Sequence, residues 1–158
     1  MGIEERICPR CMCFMHPHEL TGWLKCDCGF CKKENTSMIT RVEILMGRDK
    51  DYPLTPTLSI NLSKLMEAVN KLRTLYGKPM YVSSGYRPGK YNAAAGGSKN
   101  SAHLTCEAVD LRDPGGEIKK FCTIEVLEKC GLYMEDPNAT KTWTHLQVRS
   151  TKNRIFTP

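Results

Sequence analysis

The apolar positions of the chain fall into short periodic stretches divided by glycine and proline. The clearest spans residues 61–76, where Leu62, Leu65, Met66, Val69, Leu72 and then Leu75 or Tyr76 recur at the spacing of one helix face, with Gly77 as the stop. A second stripe, Ile118, Phe121, Cys122, Val126, Leu127 and Cys130, predicts one amphipathic helix over residues 117–129, ended by Gly131. Other stretches alternate every second residue. Residues 40–46 alternate at Val42, Ile44 and Met46 and read as extended, until Pro53 and Pro56 break the pattern. Residues 79–86 read as a strand closed by Gly85-Tyr86-Arg87-Pro88. Residues 91–95 form a helical turn before Gly96-Gly97, and residues 108–111 a further strand. The last strand, 143–149, sets Trp143, His145 and Gln147 on one face and Thr144, Leu146 and Val148 on the other. Short strands mixed with helices, without βαβ regularity, predict an α+β fold.

Length and composition bound this picture. A chain of 158 residues suits one main domain with a small appendage. With 41% hydrophobic and 25% charged residues it reads as globular. No run of 18 apolar residues exists, so no membrane span is expected. Residues 1–6 hold no apolar core of a secretory signal, so none is expected. The net charge of +6 is dispersed, aromatic residues make up only 8%, and lysines and arginines form no stripe, so nucleic acid is not the expected partner.

Nine cysteines change the picture at the N-terminus, because six of them lie between Cys8 and Cys31. Cys8-Pro9-Arg10-Cys11 and Cys28-Gly29-Phe30-Cys31 are two C-x2-C pairs with 16 residues between them, the spacing of a four-thiolate zinc ribbon. Cys13 and Cys26 are alternative ligands, and His16 and His18 lie in the same stretch. A disulfide-stapled knot is the competing reading. The expected organisation is a Cys-rich module over residues 1–36, folded through its metal, and a main domain over residues 37–158.

The chain has four histidines, and two of them frame the candidate chemistry. His103 and Asp110 stand seven residues apart at the entry to a strand, and His145 lies on the last strand. Two imidazoles and one carboxylate hold a tetrahedral zinc with one position open to water, the arrangement of a catalytic site. From spacing alone the alternative is two core or surface histidines and a strand-end aspartate.

Three segments sharpen this reading: Ser83-Ser84-Gly85-Tyr86-Arg87-Pro88, then Ser101-Ala102-His103 through Ala108-Val109-Asp110-Leu111, then Trp143-Thr144-His145-Leu146. In order and spacing, over roughly residues 55–150, they resemble the zinc D-Ala-D-Ala carboxypeptidases and the related phage L-alanyl-D-glutamate endopeptidases. The resemblance implies a Hedgehog-like peptidase fold, a small antiparallel sheet with packed helices. It implies catalytic zinc on His103, Asp110 and His145, with peptidoglycan stem peptides as substrate. It places Arg87, and with it Ser101, at the substrate, where a guanidinium suits a carboxylate.

Two positions depart from the family pattern. Cys106 replaces a glycine, as a thiol that either crowds the metal or is simply buried. Thr142 stands where related enzymes carry the glutamate that serves as general base, and a threonine hydroxyl does not take a proton from water at neutral pH. Glu135, in an expected loop with Asp136, is the nominated base. The implied function is a zinc peptidase cutting stem peptides, either a phage endolysin or a virion-associated lysin. Such a protein is made in the cytoplasm and acts on the bacterial wall. The N-terminal ribbon would carry a structural zinc and dock to the wall or to phage tail proteins. The alternative is a non-catalytic zinc-binding module of a phage assembly that keeps the peptidase fold.

Overall fold

A computed structural model describes residues 38–157, together with the backbone of three short strands nearer the N-terminus. These are β1 (His16–Pro17), β2 (Trp23–Lys25) and β3 (Cys31–Lys33), paired antiparallel in that order. The thiolate site expected from Cys8, Cys11, Cys28 and Cys31, with Cys13 and Cys26 as alternatives, lies outside the described residues, apart from the backbone of Cys31 in β3. The chain divides into two compact units, Met1–Ser37 with Gly77–Pro79, and Met38–Tyr76 with Met80–Pro158.

The larger unit opens with a helix where alternation predicts a strand. Helix α1 (Arg41–Leu45) starts at Thr40, whose hydroxyl accepts the Glu43 N–H while the Glu43 carboxylate accepts the Thr40 N–H. This capping box satisfies donors that a strand would leave open. The alternation was incidental: Ile44 and Leu45 are buried, and Val42 is exposed.

Helix α2 (Pro56–Tyr76) carries the predicted stripe but begins five residues earlier. Pro56 occupies the first helical turn, where its missing N–H costs nothing, and Thr55 Oγ1 accepts the Leu58 N–H at 3.3 Å. Leu62, Leu65, Val69 and Leu72 have no exposed surface, each stabilising the unit by roughly 2 kcal/mol. Gly77, at φ +68°, ends the helix in the left-handed region.

The single helix expected over residues 117–129 is two. Helix α4 (Glu117–Phe121) stops at Cys122, and Thr123 caps a new helix, α5 (Ile124–Cys130), by accepting the Val126 N–H. Between α2 and α4 lies a short helix, α3 (Gly89–Ala94).

The sheet has five strands in the order β4 (Val82–Ser84), β5 (Ala108–Arg112), β7 (Trp143–Gln147), β6 (Tyr133–Glu135) and β8 (Ile155–Phe156). Every pair is antiparallel except β6–β8, which is parallel, so the sheet is mixed where an antiparallel one was expected. One sheet face packs Val109, Leu111, Met134 and Leu146 into the core with α2 and α5. Asp110 and His145 are register partners on the opposite face. Among the described residues no helix is long and apolar enough to cross a membrane.

Candidate metal centre and its groove

His103 lies on a 3-10 turn, Ala102–Thr105, immediately before β5. Ser101 caps this turn, its hydroxyl accepting the His103 N–H at 3.3 Å. Two bonds then fasten His103 to the Ser84–Arg87 segment: its Nδ1 donates to the Gly85 carbonyl at 2.7 Å, and its own carbonyl accepts the Arg87 N–H at 3.0 Å. Gly85 is required for this approach. A Cβ on it would sit 2.1 Å from the Ile44 carbonyl oxygen at the end of α1. The turn is closed by Cys106 in the left-handed conformation, φ +57°. Glycine is the unstrained residue at such an angle, which accounts for the family glycine that Cys106 replaces. The thiol is fully buried in the apolar core and burial pushes it up to about 12, so it is inert packing.

Across the sheet, Asp110 on β5 and His145 on β7 face His103. His103 Nε2 lies 3.2 Å from Asp110 Oδ1 and 3.2 Å from His145 Nδ1, and His145 Nδ1 lies 2.8 Å from Asp110 Oδ1. One donor atom from each residue falls within 4.8 Å of the others, and all three residues are buried. Their outer partners fix which atoms are free. His103 spends its Nδ1 proton on Gly85, so Nε2 presents a lone pair. His145 Nε2 faces the Gln147 side-chain oxygen at 3.3 Å, and the Gln147 amide nitrogen donates to the Arg149 carbonyl at 2.8 Å. That oxygen only accepts, so the His145 proton sits on Nε2 and its Nδ1 is free. Three lone-pair atoms thus converge with no donor hydrogen among them, a set that fits a zinc ion with one position left open.

Electrostatics agree with this fit. Burial lowers the His103 pKa more than the Asp110 contact raises it, so His103 stays neutral at pH 7. Burial alone would raise Asp110, but the two imidazoles set against it outweigh burial and hold the carboxyl well below the usual range. Burial would lower His145, and the Asp110 contact outweighs it, so the net shift is upward.

The cluster opens into a groove of about 510 Å³ whose walls include Arg87, Ser101, Glu135, Trp143 and Arg149. Glu135 is not in a loop. It ends β6 beside His145, with Oε2 4.0 Å from His145 Nδ1, because Met134 pairs with Leu146 in the neighbouring register position. Its pKa is raised, chiefly by burial. Thr142 does not line this groove: it lines an adjoining recess with Ser83, Asp110, Arg112, Pro114 and Trp143. Arg87 Nη1 stands 3.8 Å from Asp110 Oδ2.

Arg149 and Gln147 escaped the sequence reading. Arg149 ties both ends of the His103 turn, donating to the Asn100 carbonyl at 2.6 Å and to Thr105 Oγ1 at 2.5 Å, and pairs with Glu107 at 2.7 Å. Alternation on β7 puts Gln147 on the face of His145, the one signal that pointed to it. Phe156, which packs edge-on against His145, had none.

The sequence profile of the peptidase M15 family matches residues 33–147, most of the chain and all three converging side chains. The chain belongs to the peptidase M15 family. The family is one of metallopeptidases, and the matched residues include the His103–Asp110–His145 cluster, whose donor atoms could hold a metal ion. No curated protein matches the chain.

Proposed function

We propose that this M15 protein is a zinc-dependent peptidase that hydrolyses an amide bond in peptidoglycan stem peptides. The observation that carries the reading is the Glu135 carboxylate, 4.0 Å from His145 of the converging cluster and lining the same groove of about 510 Å³. His103 Nε2, Asp110 Oδ1 and His145 Nδ1 would hold the metal. Zinc held there supplies Lewis-acid polarisation of the substrate carbonyl and acidifies water. Glu135 takes a proton from the attacking water and returns it to the leaving amine, a role favoured by a carboxyl whose pKa is raised toward neutrality. Arg87 and Ser101 line the same groove, Arg87 to hold substrate oxygen and Ser101 to present the His103 turn.

In the same reading the chain is a two-domain lysin of phage origin acting on the bacterial wall. Residues 1–36 form a ribbon with a structural zinc on Cys8, Cys11, Cys28 and Cys31 that docks to the wall or to a tail assembly. Thr142 favours a second reading, a non-catalytic module that keeps the metal, because the position of the family base holds no carboxylate.

Incubating zinc-loaded protein with purified peptidoglycan separates these readings. Chelator-sensitive release of peptide fragments or D-Ala supports the enzyme. Bound zinc with no release supports the structural module. Two zinc ions per reduced chain support the ribbon, and a single ion removes it.

A further inference from the structure

We propose that the substrate is an extended peptide that continues on both sides of the cut bond, so that the protein is an endopeptidase and not a carboxypeptidase. This rests on the peptidase reading above and names the bond class it acts on.

The argument begins with strand register. Arg112 pairs with Trp143, Asp110 with His145 and Ala108 with Gln147, so these three rows share one face of the sheet. The metal cluster occupies the middle row. Beyond one outer row lies the groove lined by Gln147 and Arg149. Beyond the other lies a recess of about 450 Å³ lined by Ser83, Arg112, Pro114 and Thr142. Asp110 and Trp143 line both hollows, so the two meet at a metal ligand. From Trp143 to Gln147 the strand advances by ~14 Å, room for roughly four extended residues laid across the cluster.

The chemistry of the far recess points the same way. Of the three arginines around these hollows, Arg87 faces Asp110 and Arg149 is paired with Glu107. Arg112 is exposed, and its guanidinium has no hydrogen-bond or ion-pair partner among the described residues. It lies two positions along β5 from Asp110, ~7 Å at the rise of a strand. A substrate carboxylate held by Arg112 lies in this second hollow, and one held by Arg87 lies in the groove. The exposed Trp143 ring offers a flat wall between the hollows. Thr142 also finds a reason here: a glutamate in its place would compete with substrate for Arg112, and Glu135 lies in the other hollow, away from that cation.

The reaction adds the hydroxyl of water to an internal carbonyl carbon, breaks the carbon–nitrogen bond and passes the remaining proton to the departing amine. Two peptide fragments result.

The test uses linear and cross-linked stem peptides, each as the C-terminal acid and as the amide, incubated with full-length zinc-loaded protein and read by mass spectrometry. Internal cleavage is expected, with acid and amide cut at rates within about threefold of each other. Release of only a single C-terminal residue, abolished by amidation, overturns the inference and leaves the peptidase reading standing. No hydrolysis of any of them overturns both. A second measurement does not depend on turnover. Metal-free protein is titrated with the amidated peptide and followed by tryptophan fluorescence in a Trp23→Phe background, which leaves Trp143 as reporter. Arg112→Ala should weaken binding about tenfold, as expected for a lost charge-assisted hydrogen bond, while Lys120→Ala leaves it unchanged. Equal affinity in Arg112→Ala and the parent overturns the role of the recess.

Discussion

The Gly85 carbonyl accepts the Nδ1 proton of His103 at 2.7 Å, while Gly85 itself lies against the Ile44 carbonyl at the end of α1. One glycine therefore joins the first helix of the unit to a candidate metal ligand. Gly85→Ala forces a Cβ into backbone, which has little freedom to retreat. We expect a loss of about 3 kcal/mol in denaturant unfolding and weaker zinc binding in the protein that still folds. Parent-like stability would show that α1 moves aside freely and that the glycine is not a spacer.

Glu135 is separable from the metal. Glu135→Gln keeps the size and removes the proton acceptor, so zinc content should be unchanged while kcat on peptidoglycan falls by about 100-fold or more. Full activity in this variant would assign the proton transfer to another group.

Zinc affinity should depend on pH in one direction. A metal ligand must be deprotonated, and His145 titrates above its ordinary value because the Asp110 contact outweighs burial. Below that raised value a proton occupies the site and competes more strongly as pH falls, so apparent affinity should drop about tenfold per unit. Above it the affinity should level off. Competition titrations with a chromophoric chelator between pH 6 and 8.5 read this directly, and an affinity flat down to pH 6 would exclude His145 as a ligand.

Asp113 makes a pH-dependent contribution to stability. Its buried carboxylate accepts the Thr144 hydroxyl at 2.7 Å and the Ile118 and Lys119 N–H groups at the start of α4. Burial alone would raise its pKa, but these bonds lower it. A depressed carboxyl stabilises the fold above its unfolded pKa, about 3.9, and that contribution is lost as pH falls through the folded value. Asp113→Asn should cost about 1–3 kcal/mol at pH 7, with the gap to the parent closing below pH ~4. A gap independent of pH would mean that the charge plays no part.

What the sequence made legible were features with long-range regularity or unambiguous chemistry. The α2 stripe needed nothing beyond its own spacing, and the His103, Asp110 and His145 side chains were conspicuous because the chain has so few histidines. Arg87 and Ser101 stand in the groove wall with Asp110 and His145. The misreadings share a cause: a local hydrogen bond overruled apolar periodicity. Thr40 and Glu43 turned an alternating stretch into α1, and Thr123 split one helix into α4 and α5. Strands β6 and β8 span three and two residues, too few to register a period, which is why Glu135 read as a loop residue. Gln147 and Arg149 had no signal of their own chemistry, since each acts on a backbone or side-chain partner that only the fold brings near.

The parallel pairing of β6 with β8, Glu135 opposite Phe156, has a last consequence. The three candidate ligands sit on β5, on β7 and on a turn leading into β5, and β8 meets them through the Phe156 ring, edge-on against His145. Glu135, the proposed base, ends a strand held between β7 and β8, so one of its two backbone neighbours goes with that final clasp. Proteolytic nicking just before Ile155 should then lower turnover more than metal content. Metal content by itself is therefore a poor measure of how much of a preparation is competent.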